Sequence, residues 1–163
     1  MSVNTSEDLL VAGLKHVYYT EQRLVDALEE LESTSSSEEC QQAFSEHRSE
    51  TQEHVERLEE VFDHLDEEAE AEEDPVVEAM IEAHEEFLDK DPSEGALDRF
   101  NITAGQKSEH YEIASYGNLT PLADQAGHDE VADLLEQNMR EEQDALDELA
   151  GIGEEFDYSR LEE

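Results

Sequence analysis

Tryptophan is absent from the 163-residue chain, cysteine occurs once, and proline and glycine number only 3 and 7. A single cysteine, Cys40, excludes an intramolecular disulfide and any site built on several thiolates. Scarce Pro and Gly leave few places to turn, and with 6% aromatic residues and no sustained strand-like alternation the chain is predicted to be all-α, with long helices and short connections. Basic residues are scarcer still: 9 Lys plus Arg stand against 48 Asp plus Glu, a formal net charge of −39. Nucleic acid and anionic membrane would be repelled by such a surface, so neither is expected as a partner. No apolar run approaches the roughly 20 residues of a membrane span, and the N-terminus lacks the basic and apolar stretches of a signal peptide. The expectation is a soluble, cytoplasmic protein. The acids are interleaved with helical apolar positions, which argues against a disordered tail and for adaptation to high salt, where self-repulsion is screened.

One domain over residues 1–163 is expected, with a helical core at about 6–150 and a C-terminal tail at 151–163. Thr5 or Ser6 with Glu7 and Asp8 marks the start of a first helix running to about Leu31, where the run Ser33 to Ser37 stops it. Ser36 or Ser37 caps a second long helix to about Leu65. Asp74-Pro75 and Asp91-Pro92 each read as an N-cap followed by Pro at the first helical position. They open a short helix, Val76 to Leu88, and a long one, Glu94 to about Tyr116. Gly117 is expected to end the latter, Thr120-Pro121 to restart a short turn, and Gly127 to precede a last helix, Asp129 to Ala150. Four long helices, with a short crossover helix between the second and third, make the plan of a ferritin-like four-helix bundle.

Each long helix carries an apolar seam interrupted by polar groups near its middle. In the first, Leu10, Leu14, Val17, Leu24, Leu28 and Leu31 repeat at spacings of three and four, with Glu21 at the central position. The last reads Ala132, Leu135, Met139, Glu142, Leu146, Leu149. The third long helix fits Ile102, Gln106, Glu109, Ile113 and Tyr116, with Glu112 one turn along the same face. The second runs Cys40, Phe44, His47, Thr51, His54, Leu58, Val61, Leu65, with Glu50 one turn from His54. Antiparallel helices share their midpoints at one level, so Glu21, Glu50, His54, Glu109 and Glu142 should converge.

Four unpaired buried carboxylates would repel one another and cost several kcal/mol each, and nine basic residues cannot easily satisfy them. Two divalent cations can. Oxygen-rich ligation with an imidazole suits iron or manganese, and zinc also binds such donors. In a chain this acidic a single seam glutamate can mark a wrong phase or a solvated gap, but four coincident midpoints beside a histidine point to a site. His47 is read as a packed or supporting histidine, His110 as structural, and Tyr18, Tyr111 and Tyr116 as core aromatics, of which Tyr116 could face the site. Glu53 competes with His54 as a ligand but lies off the seam. The run Glu67 to Asp74 reads as solvated surface.

Tyr19-Thr20-Glu21-Gln22-Arg23-Leu24, Glu50 to Glu59, Glu109-His110-Tyr111-Glu112-Ile113-Ala114 with Tyr116-Gly117, and Leu134-Leu135 with Glu141-Glu142 resemble motifs of the ferritin-like domain proteins related to the YciE and YciF stress proteins. The match runs from Leu9 to Leu149. The resemblance implies a rubrerythrin-like bundle, a homodimer and a link to stress. Well-characterised ferritin-like di-iron proteins carry a carboxylate plus Glu-x-x-His in each half. Here the second helix has Glu50 and His54 at i,i+4, and Ala145 and Leu146 follow Glu142, so the second histidine is missing and Glu112 is its expected substitute. Metal binding is expected to survive this departure better than fast ferroxidase chemistry.

The leading expectation is a di-iron or di-manganese oxidoreductase acting on peroxide or dioxygen, with Glu21 and Glu142 as terminal ligands, Glu50 and Glu109 as bridges and His54 as the imidazole ligand. The alternative is a non-catalytic oligomeric stress protein with a structural metal or none.

Overall fold

A computed structural model describes residues 2–161. Five α-helices follow one another: α1 (Ser6–Thr34), α2 (Glu38–His64), α3 (Pro75–Leu88), α4 (Glu94–Ala126) and α5 (Asp129–Glu154), with a 3₁₀ turn at Tyr158–Leu161. There is no strand among the described residues. The all-α bundle with a crossover helix expected from the sequence is thus the fold. None of the helices is long and apolar enough to cross a membrane. Helix α1 packs against α2 and α4, and α5 against α4 and α2, so the four long helices form the sides of a square. The crossover α3 lies outside it, touching α4 and α1.

The helix starts follow local chemistry. Thr5 and Asp8 form a capping box, the Thr5 hydroxyl accepting from the Asp8 amide while the Asp8 carboxylate accepts from the Thr5 amide, both at 3.0 Å. Ser37 caps α2, and Asp74 with Pro75 opens α3 as expected. Asp74 does not belong to the solvated run. It is buried, because besides capping α3 it accepts from the hydroxyls of Thr20 and Tyr111.

Several boundaries differ from the sequence reading: α1 runs to Thr34 rather than about Leu31, α5 to Glu154 rather than Ala150, and both ends of α4 move. Asp91 does not cap α4; its amide donates to Leu88 O at 3.0 Å, so it finishes α3, and with φ of 51° it occupies the left-handed region that Asp tolerates. Ser93 is the cap instead. Nor does Gly117 end α4, which continues through Pro121 to Ala126. Proline inside a helix costs ~3 kcal/mol or more through a lost hydrogen bond and a ring clash. Burial of Leu119 on the inner face of α4, where Ala123 is also enclosed, opposes this cost by about 1.5–3 kcal/mol. The helix ends where the backbone requires it, at Gly127, with φ of 83° and the His128 amide closing back on Ala123 O at 2.9 Å.

The tail after α5 returns to the bundle. Arg160 donates to Asp98 at 2.7 Å, and the same buried carboxylate accepts from the Ser36 amide and hydroxyl at 2.7 Å each and from the Ser37 amide at 3.2 Å. Asp98 therefore fastens the α1–α2 turn, α4 and the tail together.

The core is divided. One apolar cluster gathers Leu10, Leu14, Val17, Leu58, Val61, Phe62, Leu119 and Leu135 at one end, and another gathers Leu28, Leu31, Phe44, Ile102, Leu149 and Ile152 at the other. Gly105 permits the close packing at the second end, since a Cβ there would stand 2.5 Å from Leu149 and 3.1 Å from Phe44. Between the clusters lies a layer of polar side chains.

Candidate metal centre

All four long helices contribute to this layer at mid-height: Glu21 from α1, His47, Thr51 and His54 from α2, Glu109 and Glu112 from α4, and Asn138 and Glu142 from α5, each buried. Thr51 satisfies itself by donating to His47 O at 2.8 Å. All the remaining carboxylates and imidazoles except Glu109 form two overlapping triads, Glu21–His54–Glu142 and His47–Glu112–Glu142, each with ligand atoms within 4.8 Å of one another. Glu142 belongs to both.

The two histidines lie seven residues apart on α2, two turns on one face, and each turns one nitrogen inward and one outward. His54 Nδ1 stands 3.1 Å from Glu142 and 3.3 Å from Glu21, while its Nε2 meets Glu141 at 3.2 Å. Glu141 is itself held by Arg57 at 2.7 Å. His47 Nε2 stands 3.3 Å from Glu142 and 3.9 Å from Glu109, and its Nδ1 is 3.5 Å from Glu50. Glu21 accepts from the hydroxyl of Tyr116, which in turn accepts from Asn138 at 3.0 Å, and Asn138 accepts from Arg57.

Burial disfavours charge on every one of these groups, and their neighbours decide the outcome. Against the burial that opposes it, the His54 imidazolium is held by Glu21 and Glu142, and its pKa rises to about 10. His47 is likewise raised well above the ordinary imidazole value, with Glu142 overcoming burial. Burial would raise Glu142, but the two imidazoles outweigh it and take its pKa to about 2. Glu109 is pushed up to about 8 by burial, in spite of His47. Glu112, fully enclosed and beside Glu142 and Glu21, is raised well above the carboxylate range.

Many atoms here have no hydrogen-bond partner: Glu21 Oε2, His54 Nδ1, His47 Nδ1, Glu109 Oε2, and both oxygens of Glu112 and of Glu142. The inward contacts of His54 are close enough for charge attraction but not aligned as hydrogen bonds. Orphaned polar atoms at this density are costly unless something else binds them. A donor set of carboxylates and imidazoles converging on one volume is chemically suited to divalent transition metals.

Of the residues singled out from the sequence, Glu21, His54, Glu112 and Glu142 are brought together in the triads, and the buried Glu109 stands beside them, 3.9 Å from His47. Glu50 enters neither triad; it is half-exposed, on the outer side of His47. Glu53 is exposed, and His110 is exposed on α4. His47, read as a packed or supporting histidine, stands in the second triad, and its place on the α2 seam in line with His54 was the available signal. Asn138, Arg57 and Glu141 were not foreseen in the network around the layer; Asn138 and Arg57 carry no apolar or ligand-type signal.

Comparison with known proteins agrees with this architecture. Residues 5–159 match the profile of a family described as a domain of unknown function, DUF892. Protein YciF of Escherichia coli strain K12 is 35% identical over 143 residues, covering 87% of this chain and 86% of that protein. The crystal structure of the E. coli stress protein YciF superposes with a TM-score of 0.88 at 33% identity, over 92% of this chain and 95% of that one. YcfI from Rhodopseudomonas palustris gives a TM-score of 0.88 at 33% identity, over 91% of this chain and 95% of its own. A Xanthomonas campestris protein shares the fold at 22% identity, with a TM-score of 0.79 over 97% of both chains.

Proposed function

Because the chain belongs to the family of the YciE/YciF stress proteins, which carries the DUF892 domain, we propose that it is a stress protein of that kind whose bundle holds a dinuclear iron or manganese centre. One observation carries this reading: the unpartnered oxygens and nitrogens of two buried triads that share Glu142.

In this reading Glu21 and His54 would hold one ion, His47 and Glu112 the other, and Glu142 would bridge them. Glu109, with one unpartnered oxygen beside His47, would complete the second position. The assignment of Glu142 as the bridge, and of Glu50 to the outer face of His47, replaces the roles inferred from spacing alone. When bound, such a pair supplies one-electron redox chemistry toward peroxide or dioxygen. The protein's own part is to exclude water and to orient the donors. Glu141, clamped by Arg57, accepts from the outer nitrogen of His54, so that a metal displacing the inner proton would meet the Nδ1 lone pair. Tyr116 donates to one oxygen of Glu21 and leaves the other free. The acidic exterior suits work at high ionic strength in the cytoplasm, and the resemblance to rubrerythrin-like bundles carries with it a homodimer.

Loading the purified protein with iron(II) or manganese(II) under argon, followed by gel filtration and elemental analysis, tests the reading. Retention of close to two ions per chain is expected, one for each triad. Protein that emerges without metal would refute it, and would favour the non-catalytic alternative.

A further inference from the structure

The polar layer meets the surface along the seam where α2 packs on α5, and it does so at two places of opposite character. Beside His54 the seam is stoppered by Arg57, largely buried and paired with Glu141 at 2.7 Å. Beside His47 no Lys or Arg lines the seam, the neighbouring Arg48 turning away to Glu29 of α1 at 3.2 Å. A small recess of about 30 Å³, close to the volume of one water molecule, opens there instead. Two small side chains, Ala43 of α2 and Ala145 of α5, line it together with Phe44 and Leu149. Glu46, Glu50 and Glu148 stand at its rim, and His47 and Glu109 form its floor. Exposure falls from the rim inward: Glu46 and Glu148 are exposed, Glu50 is intermediate, and Glu109 is 2% exposed. Glu109 comes from α4, so it reaches across the bundle to this seam, and its Oε2 has no partner.

A row of carboxylates on an open surface would say little in so acidic a protein. This row ends on a buried, unpartnered carboxylate oxygen beside His47, itself in a triad with Glu112 and Glu142. We propose that the recess between α2 and α5 is the port through which divalent cations reach the layer, with Glu46 and Glu148 capturing them from solvent and Glu109 passing them from His47 to Glu142. The inference rests on the dinuclear reading above and adds a direction to it. Ions arrive on the His47 side, because Arg57 bars the His54 side by like charge. A narrow cleft lined by one sign of charge concentrates counter-ions and raises association rates by about 10–10³.

The test is stopped-flow uptake of cobalt(II) by the metal-free protein, followed by its visible d–d absorption, with the end-point read as ions per chain. Glu46→Gln with Glu148→Gln is compared with Glu68→Gln and Glu82→Gln, which remove the same charge from exposed positions away from the recess. The rim pair should slow uptake about tenfold with the end-point unchanged, and the control pair less than about twofold. Glu148→Lys should slow it further. Uptake at the wild-type rate in the rim variants, or equal slowing in the control, overturns the port while leaving the centre standing. Wild-type protein that takes up no cobalt overturns both.

Discussion

His54 and His47 face the same carboxylate, yet the two halves of the layer around them are built differently. On the His54 side nearly every group is tied down: Tyr116 holds Glu21, Arg57 holds Glu141, Glu141 meets His54, and Asn138 joins Arg57 to Tyr116. On the His47 side Glu112 has no hydrogen bond at either oxygen, and the outer nitrogen of His47 faces only a half-exposed Glu50. Identical donor types can therefore be pre-organised in one half and loose in the other. Pre-organised donors lose less freedom on binding, so the His54 half should take the first and tighter ion, and the His47 half the second.

Glu142→Gln attacks what the halves share and should have the largest effect. Both ions should be lost, and with them the entire rise in melting temperature on adding manganese(II), since stabilisation follows ligand concentration over dissociation constant. A variant that still binds one ion tightly would show that the halves are more independent than their common carboxylate implies.

The pH dependence comes next. In the metal-free protein the folded pKa of His54, about 10, exceeds the ordinary value of 6.5, so its stabilising effect is complete below the latter and is lost as pH rises toward 10. Glu109, at about 8 against 4.5, loses stability in the same sense between those values. Glu142 runs the other way, its contribution lost only as pH falls from 4.5 through about 2. The metal-free protein should thus be most stable in mild acid and weaken steadily into alkali. Metal binding needs deprotonated donors, so the metal-induced gain should grow over the same range. Thermal melts of both forms from pH 5 to 9 check this; parallel curves would contradict it.

The smaller test compares the two outer supports. Arg57→Gln should weaken the first ion by about 10–100-fold, the usual cost of losing an outer partner of a ligand. Glu50→Gln should weaken the second by less than about fivefold, because a half-exposed carboxylate contributes under about 1 kcal/mol. Competition titration against a chelating dye separates them, and equal losses would erase the proposed difference between the halves.

Much of this was legible in the chain. The seams of α1 and α2 are unambiguous because large apolar residues flank each interruption, and every seam position named on α1 is buried. On α4 and α5 the phase was partly obscured. Gly105 lies inward on α4, where a missing side chain gives no hydrophobic signal, and Gln106 and Ile113 lie at the flank. On α5, Asn138 and Ala145 take inward places from the more hydrophobic Met139 and Leu146, Asn138 because it bonds Tyr116. The meeting of His47 with Glu112 and Glu142 depends on the register of three helices, which no single helix encodes.

Asp98 has a consequence in time. The two helical hairpins, α1–α2 and α4–α5, are each local in sequence and turn over a few residues, whereas their union must close the long stretch that includes α3. Local hairpins form quickly and distant pairings slowly. A carboxylate on α4 that receives the amides of Ser36 and Ser37, at the head of α2, can acquire those bonds only once the hairpins have met. It belongs to the closing step of assembly, so its removal would leave the hairpins free to form and act on their union and on the docking of the tail through Arg160.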